Sequence, residues 1–374
     1  MSATLTFDAV SEARPGPRWL ARWHRSWPAY EAWFCARGGD AGPSRAACGE
    51  ALAEHMPELV PVWEELTALA GGSDRAARFL STWCPPAYLG GCSLAALADA
   101  DDVQLVRNYD LSPDLNEGLL LRTEWTGRAV MGMTEFLWGL SDGINDAGLS
   151  VALAFGGRSE TGRGFGITTI LRYVLETCDT VPEALKVLGR VPSHMAYNIV
   201  LADAGRRTAS VELAPGGGMR VMPRAIACNH QDAPPRADRP GFTRSFERYA
   251  NLEAMTKAPG DLMPRFLKAP LFQTRYGEGF GTLFTAGYAP LRRTLCLSIA
   301  GEVWHQSLDD FREGQRVAQY DSTSALVPAP EAGPDWSRAA YIDWAAVARD
   351  YAAGQGRAIA QYLPAPAQEA AVLH

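Results

Sequence analysis

Apolar residues recur at three- and four-residue steps between positions 46 and 70, at Leu52, Met56, Leu59, Val60, Trp63, Leu66 and Leu69. That period predicts a helix running up to Gly71-Gly72. Upstream, Trp19, Trp23, Trp27 and Trp33 fall in a basic stretch at 17–39 that reads as another helix, closed by Gly38-Gly39, with its aromatic face packed onto the body of the protein. A third helix covers 73–82. The pattern then breaks at Pro85-Pro86 and at Gly90-Gly91.

Beyond residue 92 the texture changes to short β-branched or apolar runs bounded by Gly, Asp or Pro. They predict strands at 103–108, 118–125, 148–155, 196–202, 208–213, 219–227, 282–288 and 294–299. Helices are predicted at 164–177, at 181–189, where Pro182 suits a first turn, and at 242–257. Strands in runs and helices in pairs indicate an antiparallel, layered α+β body rather than repeating βαβ units. The chain divides into a helical N-terminal region (1–91), a catalytic body (92–326) and a C-terminal part (327–374). VPAPEAGP at 327–334 reads as a linker, 335–362 as one more helix and the remainder as a tail.

The chain has 374 residues, of which 47% are hydrophobic and 21% charged, so it can bury a large core. A net charge of −7 argues against a nucleic-acid partner, which would need clustered Lys and Arg. The first residues lack a basic segment followed by an apolar stretch, and no run is long enough to span a bilayer, so the expected compartment is the cytoplasm. Seven cysteines without paired CxxC spacing suit a reducing environment and offer no zinc framework. The six histidines form no metal-ligand spacing, and neither metal nor cofactor is expected.

One cysteine has a distinctive context. In Gly90-Gly91-Cys92-Ser93 the glycines permit backbone angles closed to other residues. The Cys92 side chain can then reach back to the Gly91 carbonyl. An N-to-S acyl shift followed by hydrolysis would leave Cys92 at a new chain start, where its own α-amine can take the thiol proton near neutral pH. Arg107 and Asp110, in Arg107-Asn108-Tyr109-Asp110, end a predicted strand close enough in sequence for a hairpin to bring them to that terminus. There Asp110 would orient the ammonium, while Arg107 would lower the thiol pKa or hold a substrate carboxylate. Asn229, just after an apolar strand, can donate to an oxyanion. Each residue taken alone also fits a plain role: a packed thiol, a strand-end salt bridge, a turn-forming Asn. His230 is read as structural.

Taken together, GGCS at 90–93, RNYD at 107–110, GINDAGLSVALAF at 143–155, RGFGITTILRYVLETCDTVPEAL at 163–185 and ACNH at 227–230 resemble, in order and spacing, the acyl-coenzyme A:6-aminopenicillanic acid acyltransferase family. That family is related to choloylglycine hydrolases and penicillin V acylases. MPELVPVWEELTALAGG at 56–72 also looks like its propeptide region. The resemblance covers about residues 55 to 300. It implies a four-layer αββα N-terminal-nucleophile hydrolase fold, self-cleavage between Gly91 and Cys92, and acyl transfer from an amide or thioester to an amine or water.

Position by position, the resemblance matches Cys92 to the nucleophile, Asp110 to the acid that positions its amine and Asn229 to the oxyanion donor. The strand ending at Phe155 matches the one whose backbone N–H completes the oxyanion hole. Arg107 and Arg248 match active-site arginines of the bile-salt and penicillin V branch. Tyr109, Trp125, Phe136, Trp138 and Phe155 are candidate pocket walls, with Tyr109, Trp138 and Arg248 taken as substrate-binding; the same aromatic residues also suit a plain core. STWCPPAY at 81–88 departs from the family's approach to its cleavage site, and GEGFGTLF at 277–284 lacks the Ser-Arg pair of the penicillin-forming enzyme. The expected partner is a small N-acyl or acyl-thioester substrate, with no nucleic acid and no membrane, and assembly as a homo-oligomer stays open. A protein that keeps the fold uncleaved and binds a ligand or partner without catalysis is the alternative reading.

Overall fold

The computed structural model describes residues 3–88, 90–233, 236–320, 325–327 and 344–356. The predicted linker after Val327, residues 335–343 and 357–362 of the predicted C-terminal helix, and the tail lie outside the described residues. The chain begins with β1 (Ala3–Glu12) and four helices: α1 (Pro17–Ala36), α2 (Arg45–His55), α3 (Val60–Leu69) and α4 (Asp74–Ser81). A run of strands comes next: β2 (Gly91–Ala98), β3 (Val103–Leu111), β4 (Leu119–Thr123), β5 (Val130–Glu135), β6 (Gly139–Leu140), β7 (Asp142–Asn145) and β8 (Ser150–Phe155). Then come α5 (Ile167–Thr177), α6 (Val181–Arg190), β9 (Tyr197–Ala202), β10 (Thr208–Leu213), β11 (Met219–Val221) and β12 (Ile226–Ala227). Helices α7 (Pro240–Thr243), α8 (Ser245–Met255) and α9 (Met263–Phe266) precede β13 (Thr274–Arg275), β14 (Phe280–Ala289), β15 (Thr294–Ile299), β16 (Glu302–Ser307), β17 (Gly314–Tyr320), β18 (Ala325–Val327) and α10 (Trp344–Ala352).

The strands make two sheets. The larger runs β11-β10-β9-β8-β7-β5-β4-β1-β17-β18, with β6 beside β5; the smaller runs β12-β2-β3-β14-β15-β16, with β13 beside β14. Three apolar clusters show how they stack. Helices α1 to α6 bury Trp19, Trp63, Phe79, Ile170 and Leu188 against the outer face of the larger sheet. Leu5, Phe7, Leu94, Leu105, Val200 and Phe284 fill the space between the sheets. Leu252 of α8 and Phe266 of α9 cover Ala95, Val106 and Ile226 on the far side of the smaller sheet. The layers are therefore αββα.

Strand alternation sets which residues meet. In β2 and β3, Cys92, Leu94, Leu105 and Tyr109 belong to the cluster between the sheets, whereas Ala95 and Val106 belong to the cluster under α8 and α9. Arg107 keeps the inter-sheet parity of Leu105 and Tyr109, while Ser93 and Asp110 turn toward Arg248 of α8.

Several expectations are corrected. Residues 3–12 are not part of a helical region: ATLTFDAVSE forms β1, parallel to β4 and antiparallel to β17. The single helix expected at 46–70 is two, because Pro57 disfavours helical angles at Met56, whose φ/ψ are −142° and 57°. The expected strand at 219–227 splits around Pro223 into β11 and β12. The helix at 242–257 breaks at Arg244, which has φ 49°. Strands β5, β6, β7, β13, β16, β17 and β18 have no counterpart in the predicted set.

Candidate active site

Cys92 is the second residue of β2 and pairs with Tyr109 across the β2–β3 ladder, which sets Gly91 opposite Asp110. The hairpin brings Cys92 and the Arg107–Asp110 segment together, as the spacing predicts. The reason for glycine at 91 is different from the expected one. Neither Gly90 nor Gly91 adopts a positive φ; instead a Cβ on Gly91 would stand 2.3 Å from the Phe280 ring and 2.9 Å from the Asp110 carbonyl oxygen. Space, not backbone freedom, is what forbids a side chain there.

Cys92 is 1% exposed, and its sulfur accepts a hydrogen bond from Arg107 Nη2 at 3.2 Å. Burial raises the thiol pKa, and the Arg107 charge pulls against it. Arg107 and Asp142 form an ion pair of 2.6 Å with both side chains fully buried. Asp142 also accepts from the Tyr288 hydroxyl, and the Arg107 guanidinium lies 4.4 Å from the centre of the Tyr109 ring. Asp142 went unread in the sequence. It sits one residue before GIND, and a buried Arg107 needs a counter-charge, so the signal existed.

On the other face of β2, Arg248 of α8 ties the site together. Its Nη1 donates to the Cys92 carbonyl at 2.5 Å and to Ser93 Oγ at 2.8 Å, and its Nη2 donates to Asn229 Oδ1 at 2.7 Å. Nη1 also lies 3.7 Å from Asp110 Oδ2. Arg248 is fully buried and does not line the cavity, so it holds the site's own groups and is not placed as a substrate contact. Asn229 Oδ1 accepts from the Cys92 backbone N–H at 3.0 Å, and its Nδ2 donates to the Phe155 carbonyl at 3.0 Å. Asp110 Oδ1 accepts from Thr282 Oγ1 at 2.7 Å. Asp110 Oδ2 is buried with no hydrogen-bond partner, and burial raises the pKa of the carboxyl against the pull of Arg248.

Above this cluster opens a cavity of about 230 Å³ whose floor includes Gly90, Gly91, Tyr109, Asp110 and Asn229. Its walls come from α1, through Tyr30 and Trp33, from Phe136 and Phe155, and from α10, through Val347, Ala348 and Tyr351. Tyr109, Phe136 and Phe155 thus stand where the sequence suggests. Trp138 and Trp125 do not: Trp138 is fully buried in the helical layer with Nε1 donating to the Leu80 carbonyl, and Trp125 Nε1 donates to the Glu12 carbonyl. Trp125 follows β4 and Trp138 lies between β5 and β6, in connections where strand alternation does not assign a side. The aromatic stripe of α1 is mostly core, Trp19 and Trp23 being buried, with Trp33 at the cavity edge.

Two further acidic side chains line the cavity unannounced. Glu117 accepts from the Tyr30 hydroxyl and from the Leu137 N–H, and burial pushes its pKa up to about 7. Glu135 is likewise raised by burial, opposed by Arg107, and its Oε1 has no hydrogen-bond partner. His230 lies outside the cavity lining, bonded to Ser245 Oγ between Phe246 and Tyr249, with burial pushing its pKa down to about 4. It is neutral at pH 7. Among the described residues no group of three or more His, Cys, Asp or Glu side chains could hold a metal ion, and no helix is long and apolar enough to cross a membrane.

Two sheets face to face between helical layers, with a cysteine at the start of a strand in the smaller sheet, define an N-terminal-nucleophile hydrolase fold. Residues 97–303, more than half of the chain, match the family model described as acyl-coenzyme A:6-aminopenicillanic acid acyl-transferase, and the chain belongs to that family. Among curated proteins none matches the sequence. Solved structures similar to it include a mutant conjugated bile acid hydrolase from Clostridium perfringens, at 13% identity and TM-score 0.41 over 64% of this chain and 97% of that one. Penicillin V acylase from Agrobacterium tumefaciens is similar at 15% identity and TM-score 0.40, over 62% and 91%. A Caenorhabditis elegans ortholog of N-acylethanolamine-hydrolyzing acid amidase is similar at 16% identity and TM-score 0.42, over 63% and 100%. Family membership makes this chain a homologue of acyl-transferring enzymes.

Proposed function

We propose that the chain cuts itself between Gly91 and Cys92 and then uses Cys92 to take the acyl group from a small N-acyl or acyl-thioester compound. The observation that carries this reading is the buried Asp110 Oδ2. It has no hydrogen-bond donor, Arg248 Nη1 standing 3.7 Å away, and an unsatisfied buried carboxylate oxygen costs about 1–3 kcal/mol or more. Gly91 lies opposite Asp110 in the ladder, so cleavage there would create an ammonium with three donors beside an acceptor that lacks one.

In maturation the Cys92 sulfur attacks the Gly91 carbonyl carbon, the C–N bond breaks, and the acyl group moves to sulfur while the nitrogen takes the thiol proton. Water then hydrolyses the thioester, leaving a Gly91 carboxylate and a Cys92 that carries both thiol and amine. In turnover the amine accepts the thiol proton, the sulfur attacks the substrate carbonyl, and Asn229 Nδ2 with the Phe155 backbone N–H stabilises the oxyanion. The leaving group departs with the proton. Water or an amine releases the acyl group from the thioester. Arg107, held by Asp142, stabilises the thiolate. Seven unpaired thiols fit a reducing cytoplasm.

Intact-mass measurement of the purified 40.5 kDa chain tests the first step directly. Fragments of about 10 and 30 kDa are expected, at about 0.11 kDa per residue. A single intact species after long incubation would favour the uncleaved, non-catalytic alternative instead.

A further inference from the structure

Each flank of the cavity includes a helix that lies outside residues 97–303, the part of the chain shared with the family. On one side stands α1, with Tyr30 and Trp33; on the other stands α10, with Val347, Ala348 and Tyr351. The two flanks differ in chemistry. Around α1 the wall includes the Glu117 and Glu135 carboxyls, poor neighbours for an alkyl chain. Around α10 it is apolar: Val347 and Ala348 stand beside the rings of Phe242, Phe280 and Tyr351, with Phe242 at 5.3 Å from Phe280 and 5.5 Å from Tyr351 between centroids.

The polar groups of that flank are engaged elsewhere. The Tyr351 hydroxyl donates to the Gly279 carbonyl at 2.7 Å, and Arg239 Nη2 donates to the Ala348 carbonyl at 2.9 Å. These two bonds and the ring contact also fix α10 against the body. Phe280 in turn packs over Gly91, so this apolar flank begins directly at the residue before the nucleophile. A group entering from Cys92 toward α10 meets the rings of Phe280, Phe242 and Tyr351 and the side chains of Val347 and Ala348, with Arg239, tied to the Ala348 carbonyl, also in the lining.

We propose that α10 is the element that selects the acyl group: the apolar arm of the substrate lies toward Val347, Ala348 and Tyr351, and these residues limit its size. The proposal rests on the reading of the cavity as the substrate site. It assigns the C-terminal segment a task in specificity beside the Phe242 and Phe280 rings that the shared core supplies to the same flank.

The test uses the full-length chain and two substitutions that act in opposite directions, Ala348→Phe, which fills the flank, and Tyr351→Ala, which enlarges it. Binding of primary amides from acetamide to decanamide is measured by titration calorimetry, and kcat/KM by release of p-nitroaniline from the matching N-acyl anilides. Ala348→Phe is expected to lower affinity and kcat/KM for the longer acyl groups by about tenfold or more, leaving acetyl within about twofold, because one methylene misfit is worth roughly 10- to 200-fold. Tyr351→Ala is expected to move the optimum to longer chains. A chain-length profile identical in all three proteins overturns the proposal, as does a native chain that binds none of the amides. Should the amides bind with the expected shifts while no anilide is turned over, the selection by α10 stands and the catalytic reading falls.

Discussion

Beneath the cavity, Cys92, Arg107, Asp142, Asn229 and Arg248 are joined by hydrogen bonds and ion pairs of 2.5–3.2 Å, each group fixing the next. Around it, Trp33, Phe136, Phe155 and Tyr351 are packed ring against ring, with the Tyr351 hydroxyl bonded to the Gly279 carbonyl. A polar network in a low-dielectric floor tolerates no missing member, because each loss strands a buried charge or donor. A wall of rings can change by a methylene at a time. Substitutions in the floor should therefore act all-or-none, and substitutions in the walls by degrees.

The largest effect expected is from Cys92→Ala, which should abolish both self-cleavage and turnover, a loss of roughly 10⁵-fold or more in kcat. Cys178→Ala, in the helical layer, should spare both; equal effects of the two, read by intact mass and a rate assay, would refute the assignment. Arg107→Met should cost about 3–5 kcal/mol in urea denaturation, because it leaves Asp142 charged and buried. The double change Arg107→Met with Asp142→Leu should recover most of that stability without recovering activity, which separates the structural share of the ion pair from its action on the thiol. Asn229→Ala should lower kcat by about 10²–10³-fold in protein already cleaved.

The smallest effect concerns the wall. The Glu117 pKa is raised to about 7 in the folded protein, above its ordinary value near 4.5, so the folded state favours the neutral carboxyl. Its contribution to stability is complete below pH 4.5 and is lost as pH rises through 7. Glu117→Gln should thus gain stability relative to the native chain between pH 5 and pH 8, by on the order of 1–3 kcal/mol, measured from thermal unfolding at both pH values. A difference that does not vary with pH would show that the carboxyl is already charged when buried.

The Cys92–Asp110 part of the floor was legible because it is local, and Asn229, 137 residues from Cys92, was legible through the motif that carries it. GGCS and RNYD are the two ends of one hairpin, and ACNH begins at the short strand that pairs with β2. What the sequence hid is what depends on distant pairing. Asp142 reaches Arg107 only once the two sheets stack, β1 finds its partners about a hundred and three hundred residues away, and α10 meets Phe242 across the fold. Period and turn signals cannot report such contacts. Trp138 and Trp125 failed for a related reason, since being aromatic and near a strand says nothing about which side of it faces the cavity.

The position of β1 decides the fate of the two pieces that a cut after Gly91 would leave. That strand is hydrogen-bonded between β4 and β17, both of which lie on the far side of the cut in sequence. The short piece would remain woven into the middle of the large sheet, and the mature enzyme would travel as two polypeptides that no gentle dilution could part. Separating them would mean unzipping the sheet itself, so the active form would be renewed only by fresh synthesis and never by exchange of pieces between molecules.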